Sequence, residues 1–421
     1  MLVDFSVKNF KSFDEQQVIS LLKEKGSEHS ENSFTVGVKK NLELLKSAAV
    51  YGANASGKSN LIQAIGTMKF IVTSSSQSVN DLCVVPFKLF RKNLNEPTEF
   101  EVTIVVNDTK YQYGFSATKT KILEEWLFAY PNGHAQKWFE RIWDQKNNKY
   151  EWSFSPSFTG QKQVWLRATR DNALFLSTAV QLNSEKLKPI YDWFKDELFV
   201  FEGNNFFLQY TADLCNEGKK DTVLKFLKAA DLGISDISVE EKETDEKSIP
   251  DSFPEAVKNF FIEVMPKKKK EITSYHKDND GNSVEFNFSE ESTGTIRFFG
   301  LVCPLIDILE KGATLVIDEL NCNLHPKLVE FIVKLFNSKK SNPNNAQLIF
   351  TTHDVYVLSQ KLFRRDQIWF CEKNNKQATE VYSLLEFSPN KDKDNIALRY
   401  LSGRYGALPL ITDFNLFDGE E

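Results

Sequence analysis

Apolar positions along the chain change period several times, and each change marks an element. Leu2, Phe5, Val7, Phe10, Phe13, Val18 and Ile19 predict two strands around the polar tetrad Asn9-Phe10-Lys11-Ser12. Residues 23–46 are polar and predict a loop, with Lys23 to Asn32 mobile. Ser47 to Tyr51 reads as a short buried strand, and Leu61, Ile65, Met68 and Val72 recur at helical spacing soon after. The Ser-rich stretch Thr73 to Val79 predicts a flexible connection. Residues 84–154 are strand-rich. Phe100 to Val106 and Tyr111 to Phe115 flank Asn107-Asp108 as a hairpin, and Trp126 to Tyr130, Trp138 to Trp143 and Tyr150 to Phe154 predict further strands.

From about residue 170 the texture becomes helical, over Asp171 to Leu182, Leu187 to Phe194 and Asp221 to Ala230. Residues 236–290 return to charged strands and turns. Beyond 291 helix and strand alternate: a helix Thr295 to Leu309, a strand Thr314 to Ile317, a helix Lys327 to Asn337, and strands at Gln347 to Thr351, Gln367 to Glu372 and Glu380 to Leu384. The acidic tail Asp413 to Glu421 predicts fraying. The sequence shows neither a repeat nor sustained heptads.

Composition adds limits. With 421 residues, 41% hydrophobic and 26% charged, the chain has the make-up of a globular protein with a sizeable core. A net charge of −6 argues against a globally basic nucleic-acid binder. Cys83, Cys215, Cys303, Cys322 and Cys371 are odd in number and lack a C-x-x-C pair, which disfavours a disulfide framework or zinc cluster and favours the cytoplasm. The longest apolar run, Phe298 to Leu309, is too short to span a bilayer and carries Asp307, so no membrane partner is expected.

Three strand ends carry chemistry. Gly52, Gly57, Lys58 and Ser59 fit the phosphate-loop pattern, in which backbone N–H groups and a helix N-terminus cradle phosphate. Asn54, Ala55, Ser56, Gly57, Lys58, Ser59 and Asn60 are the expected cofactor contacts. Lys58 would reach the β- and γ-phosphates, and the Ser59 hydroxyl would ligate Mg²⁺. The strand Thr314 to Ile317 ends in Asp318-Glu319, where Asp318 suits Mg²⁺ through water and Glu319 suits alignment of an attacking water. The strand ending Thr351-Thr352-His353 places His353 to hydrogen-bond a γ-phosphate. Ser292 or Thr293 caps the next helix; from that segment alone an ordinary cap is the simpler reading. Lys267 to Lys270 read as a solvated loop rather than a phosphate contact. Trp126, Trp138, Trp143, Trp152 and Trp165 read as core or interface aromatics, and Arg167 and Arg170 as surface arginines.

Taken in order, Asn9-Phe10-Lys11-Ser12, the loop through Ser59-Asn60-Leu61, Ser292-Thr293-Gly294, Asp318-Glu319, Asn323-Leu324-His325-Pro326 and His353 resemble ATP-binding-cassette ATPases of the SMC, RecF and overcoming-lysogenisation branch. Arg364-Arg365-Asp366-Gln367-Ile368-Trp369-Phe370 and Ser402-Gly403-Arg404-Tyr405-Gly406 look more narrowly like bacterial abortive-infection ATPases of the AbiL/RloA type. The resemblance implies an α/β P-loop NTPase of ABC/SMC-head type, two-lobed: lobe I at 1–120, a β-rich and helical insertion at 121–285, and lobe II at 286–421. It implies that Lys11 and Ser12 lie near the adenine or α-phosphate. It makes Ser292, Thr293 and Gly294 the signature that contacts ATP on a second protomer, and Asn323 to Pro326 the D-loop across that interface. Partners then include the chain itself, as a homodimer or larger oligomer, and a separately encoded effector, with a nuclease among the candidates. Nucleic acid stays open as a partner, though the charge does not point to it. The implied role is an Mg-ATP-hydrolysing regulator in antiphage defence, with a DNA-clamping repair ATPase or a slow-turnover scaffold as alternatives. The signature departs from the family in having Thr293 where a glycine is usual. The Q-loop glutamine is not identifiable, Gln77 and Gln112 being candidates only.

Overall fold

The computed structural model describes residues 1–39, 41–203, 207–243, 268–359, 362–389 and 395–409. Lys267 and the tail Asp413 to Glu421 lie outside the described residues. The chain divides into one unit of residues 1–203, 308–321 and 329–421 and a second of 204–307 and 322–328.

In the first unit, β1 (Leu2–Lys8) and β2 (Gln17–Ser20) are followed by a small hairpin, β3 (Ser33–Val36) and β4 (Leu42–Leu45), then β5 (Ser47–Tyr51) and helix α1 (Lys58–Ser74). Five strands come next: β6 (Thr98–Val106), β7 (Thr109–Ala117), β8 (Ile122–Ala129), β9 (Gln136–Asp144) and β10 (Lys149–Phe154). They join β1 and β2 in an antiparallel sheet of order β10-β9-β8-β7-β6-β1-β2. The β6–β7 turn places Asn107 and Asp108 at φ 48° and 55°, a left-handed pair that suits the twist of a tight hairpin.

A second sheet has the order β11-β15-β16-β5-β17-β18. It is built from β11 (Leu198–Phe201), β15 (Thr314–Ile317), β16 (Gln347–Thr351), β5, β17 (Ile368–Lys373) and β18 (Thr379–Ser383). All pairs are parallel except β17 with β18. Every side chain of β5, β15 and β16 is buried, as expected of strands covered on both faces. Phe5, Phe100, Tyr113 and Phe115 from the first sheet, Val50, Val316 and Ile349 from the second, and Leu61, Ile65 and Met68 of α1 belong to one continuous core.

The helices α2 (Lys162–Ala168), α3 (Phe175–Gln181) and α4 (Lys188–Asp192) also pack into this core. Glu125 on β8 is fully buried, and its carboxylate accepts the N–H groups of Phe175 (2.7 Å) and Leu176 (3.0 Å) at the start of α3. The buried Arg141 guanidinium lies 3.3 Å away and donates to Ala173 O at 2.6 Å. Trp138, Trp152 and Trp165 pack with Phe154, Phe158 and Phe175, so these tryptophans are core aromatics.

The second unit carries α5 (Leu208–Leu214), α6 (Lys220–Ala229) and an antiparallel sheet of β12 (Asp236–Glu243), β13 (Lys268–Lys277) and β14 (Ser283–Asn287). Helix α7 (Thr293–Lys311) begins there. Lys270 pairs with Asp213.

Two expected boundaries fall inside sheets of this structure, and two expected loops are tied down. The boundary at 120/121 falls within the antiparallel sheet, because β8 continues the β7 ladder through Tyr111↔Ala129 to Ala117↔Ile122. The boundary at 285/286 falls inside β14, and the second unit runs on to residue 307. The loop Lys23 to Asn32 is tied down: the buried Arg364 guanidinium donates to the carbonyls of Glu24 (3.1 Å) and Glu28 and reaches Gly26 O at 3.4 Å. The Ser-rich stretch after α1 is anchored too, since Arg170 donates to Ser75 O (3.0 Å) and Ser78 O (2.7 Å), a cap on the end of the helix. No described helix is long and apolar enough to cross a membrane.

Glu125→Ala would leave the Arg141 charge buried and uncompensated. It is expected to destabilise the first unit by about 3–5 kcal/mol in urea unfolding.

Candidate functional site

The parallel register brings three chemical strand ends to one edge. Phe350 pairs with both Ile317 and Ala49, so residues 318, 351 and 50 stand side by side where the strands end. Ligands of parallel α/β sheets bind outside that carboxyl edge.

The loop between β5 and α1 wraps back on itself. Lys58 Nζ donates to the carbonyls of Gly52 (2.8 Å) and Ala53 (2.9 Å). Gly57 is the N-cap of α1 at φ 110° and offers no side chain to cap the helix. The N–H groups of the first turn therefore point to the loop's concave side, available to an anion. Ala55 also takes a left-handed conformation, φ 61°. Asn54 and Ala55 are exposed, Ser59 and Asn60 half-buried, and Ser56 buried with its hydroxyl unpartnered. Burial pushes the Lys58 ammonium below its usual range, while the negative charge of Glu319 and Asp318 acts in the opposite sense.

One hydroxyl orders the acidic pair. Thr351 Oγ1 donates to Asp318 Oδ1 at 2.6 Å and accepts the Glu319 N–H at 2.7 Å. Leu320 N donates to Thr351 O. These bonds hold Glu319 at φ 48°, a costly backbone for a glutamate that persists because its neighbours over-determine it. His353 Nε2 stands 3.2 Å from Asn321 Nδ2, an exposed contact on the same edge. Asp318, Glu319, His353 and the P-loop thus share the first unit's carboxyl edge.

The Asn9–Ser12 turn is placed against α1. Lys11 Nζ donates to Gln63 Oε1 at 2.5 Å, and Asn60 Nδ2 donates to Ser12 Oγ at 2.7 Å. Asn9, φ 49°, is consumed by structure: its amide donates to the carbonyls of Asn93 and Glu96. Gln77 follows α1, and Gln112, on β7 of the antiparallel sheet, accepts from the Tyr130 hydroxyl at 2.8 Å. Glu202 directly follows β11, the strand beside β15.

Two partners escaped the sequence reading. Thr351 was visible only as part of a strand; the equal spacing of the two strands to their polar ends was the available signal. Thr379 on β18 had none. Its Oγ1 lies 2.8 Å from both Ser12 Oγ and Ser56 O, and its N–H donates to Ser12 O at 2.7 Å. A Cβ on Gly57 would collide with it.

In the second unit, Ser292 Oγ accepts the Thr295 N–H at 3.1 Å and so caps α7. A Cβ on Gly294 would stand 2.7 Å from Asn323 O, so the glycine permits close approach of the expected signature and D-loop segments.

A glycine-bracketed loop leading into a helix, with a carboxylate pair on a neighbouring parallel strand, defines a P-loop nucleotide-binding α/β domain. Residues 47–359 match the model of the family described as "AAA domain, putative AbiEii toxin, Type IV TA system", and the chain belongs to that family. Among solved structures, a "recombination mediator protein RecF-ATP" is similar at 15% identity with a TM-score of 0.32, covering 83% of this chain and 93% of that one. No curated protein matches the sequence.

Gly57→Ala combines a left-handed backbone with the Thr379 collision. It is expected to cost about 1–3 kcal/mol, and Gly57→Ala/Thr379→Ala to recover part of that. A double-mutant cycle by chemical unfolding measures the coupling.

Proposed function

We propose that the chain is a cytoplasmic, Mg²⁺-dependent ATPase of cassette type that regulates a defence effector. The observation that carries the reading is the Thr351 hydroxyl joining Asp318 to the Glu319 backbone on the edge shared with the P-loop. That arrangement suits phosphoryl transfer, which needs positioned charge more than covalent chemistry.

The donor set fits the cofactors. The uncapped first turn of α1 and the Lys58 ammonium suit the triphosphate, with Asn54 to Asn60 lining it. Ser59 and Asp318 offer the hard oxygen ligands that Mg²⁺ takes in small number, water and phosphate supplying the rest. This is compatible with there being no group of three or more His, Cys, Asp or Glu arranged for a metal among the described residues. Bound Mg²⁺ would offset the charge developing between the β- and γ-phosphates. Glu319 aligns the attacking water and accepts its proton, His353 donates to the γ-phosphate, and Lys58 swings from its carbonyls onto the phosphates. Lys11 and Ser12, beside the first turns of α1, would lie near the adenine or α-phosphate of the nucleotide.

One P-loop and one Ser292-Thr293-Gly294 segment per chain support a head-to-tail dimer, in which each signature completes the site of its partner. The family description names a toxin–antitoxin setting. That description supports a role in which the ATPase holds or releases a separately encoded effector of the abortive-infection kind.

Turnover and solution mass, measured with and without ATP for wild type and Glu319→Gln, test this. Glu319→Gln is expected to bind ATP, lose turnover by about 100-fold or more, and accumulate as an ATP-trapped assembly at least dimeric in mass. Normal hydrolysis by Glu319→Gln removes that residue from its role. Unchanged turnover in Ser292→Arg ends the composite-site reading.

A further inference from the structure

The residue just before the signature is gripped from β13. Glu291 Oε1 accepts from Ser274 Oγ at 2.6 Å and stands 2.7 Å from His276 Nε2. The Ser274 side chain is fully buried, and the Glu291 side chain is only 11% exposed. Phe286 on β14 packs edge-on against the His276 ring at 5.1 Å. One carboxylate oxygen thus serves two donors spaced two residues apart on the same face of a strand.

The chain is equally constrained on either side of that carboxylate. Asn287 and Glu290 form a reciprocal capping box one step upstream, and Glu291 N donates to Phe288 O at 3.3 Å. One step downstream, Ser292 caps α7 through Thr295, and Gly294 abuts Asn323 O. The turn between these two fixed points has Glu291 as its side-chain anchor to the sheet. A carboxylate that accepts two hydrogen bonds holds its backbone more tightly than one free to rotate in solvent.

We propose that Ser274 and His276 act through Glu291 as positioning residues that set the Ser292–Gly294 turn for its work at the ATP of a partner chain. This inference rests on the composite-site reading above. None of the three side chains touches nucleotide. Their effect is on the fraction of assembled sites whose signature is in register, so it falls on turnover rather than on ATP binding by the P-loop of the same chain.

The test uses the full chain, with ATP turnover, affinity for a fluorescent ATP analogue and thermal midpoint measured together. Glu291→Ala and His276→Phe are expected to lower kcat about tenfold with analogue affinity within twofold of wild type. Glu291→Gln and His276→Gln, which keep an acceptor or a donor in place, are expected to restore most of the rate. Mixing Glu291→Ala chains with Lys58→Ala chains is expected to regain activity, because one intact P-loop then faces one intact signature. Wild-type kcat in Glu291→Ala overturns the clamp while leaving the ATPase reading in place. A parallel loss of affinity and midpoint in all four variants, with no recovery on mixing, overturns it as well by showing a purely structural role. A wild-type chain that neither binds nor hydrolyses ATP removes both readings.

Discussion

The register of the parallel sheet is the constraint on which the site depends. Leu348 to Thr351 pair with Ser47 to Val50 on one side, and Thr314 to Ile317 pair with Gln347 to Phe350 on the other. A slip of one residue in either ladder would invert every buried side chain of a strand that is covered on both faces. It would also move Thr351 away from Asp318. Burial of Val50, Val316 and Ile349 in the core therefore fixes hydrogen bonds at polar residues one position further on. Packing sets the chemistry's geometry here, and the Thr351 hydroxyl turns that geometry into a strained, held conformation at Glu319.

Much of this was legible in the chain. Runs such as Thr314 to Ile317 and Gln347 to Thr351 are short, apolar and bounded by polar groups, and both strands have those bounds. The β6–β7 hairpin followed from Asn107-Asp108, residues that tolerate positive φ. The glycine pattern located the P-loop because close backbone approach admits few other residues. Trp138, Trp152 and Trp165, read as core or interface aromatics, do pack with Phe154, Phe158 and Phe175.

What was missed depends on contacts between distant parts of the sequence. Arg364 reads as one charge in a basic pair, yet it is buried and hydrogen-bonded to a loop more than three hundred positions earlier. No local period signals that, so the loop at 23–32 looked free. A sheet edge is defined by pairing, and β8 pairs with β7 across the expected boundary at 120. Thr379 is silent for the same reason: a threonine in an edge strand is ordinary until its partners are known.

The Thr379 contact bears on how the protein comes into being. Ser12, Asn60 and Thr379 meet around the P-loop although Ser12 and Thr379 are 367 positions apart in the sequence. Because domains emerge from the ribosome N-terminus first, a nascent chain holds the P-loop sequence long before it holds the strand that buttresses it. Through most of synthesis Gly57 lacks the Thr379 buttress, and β5 lacks both of its parallel neighbours. The loop can take its final shape only once β16, β17 and Thr379 have been made, so chains that stop before them would carry its sequence without its finished form.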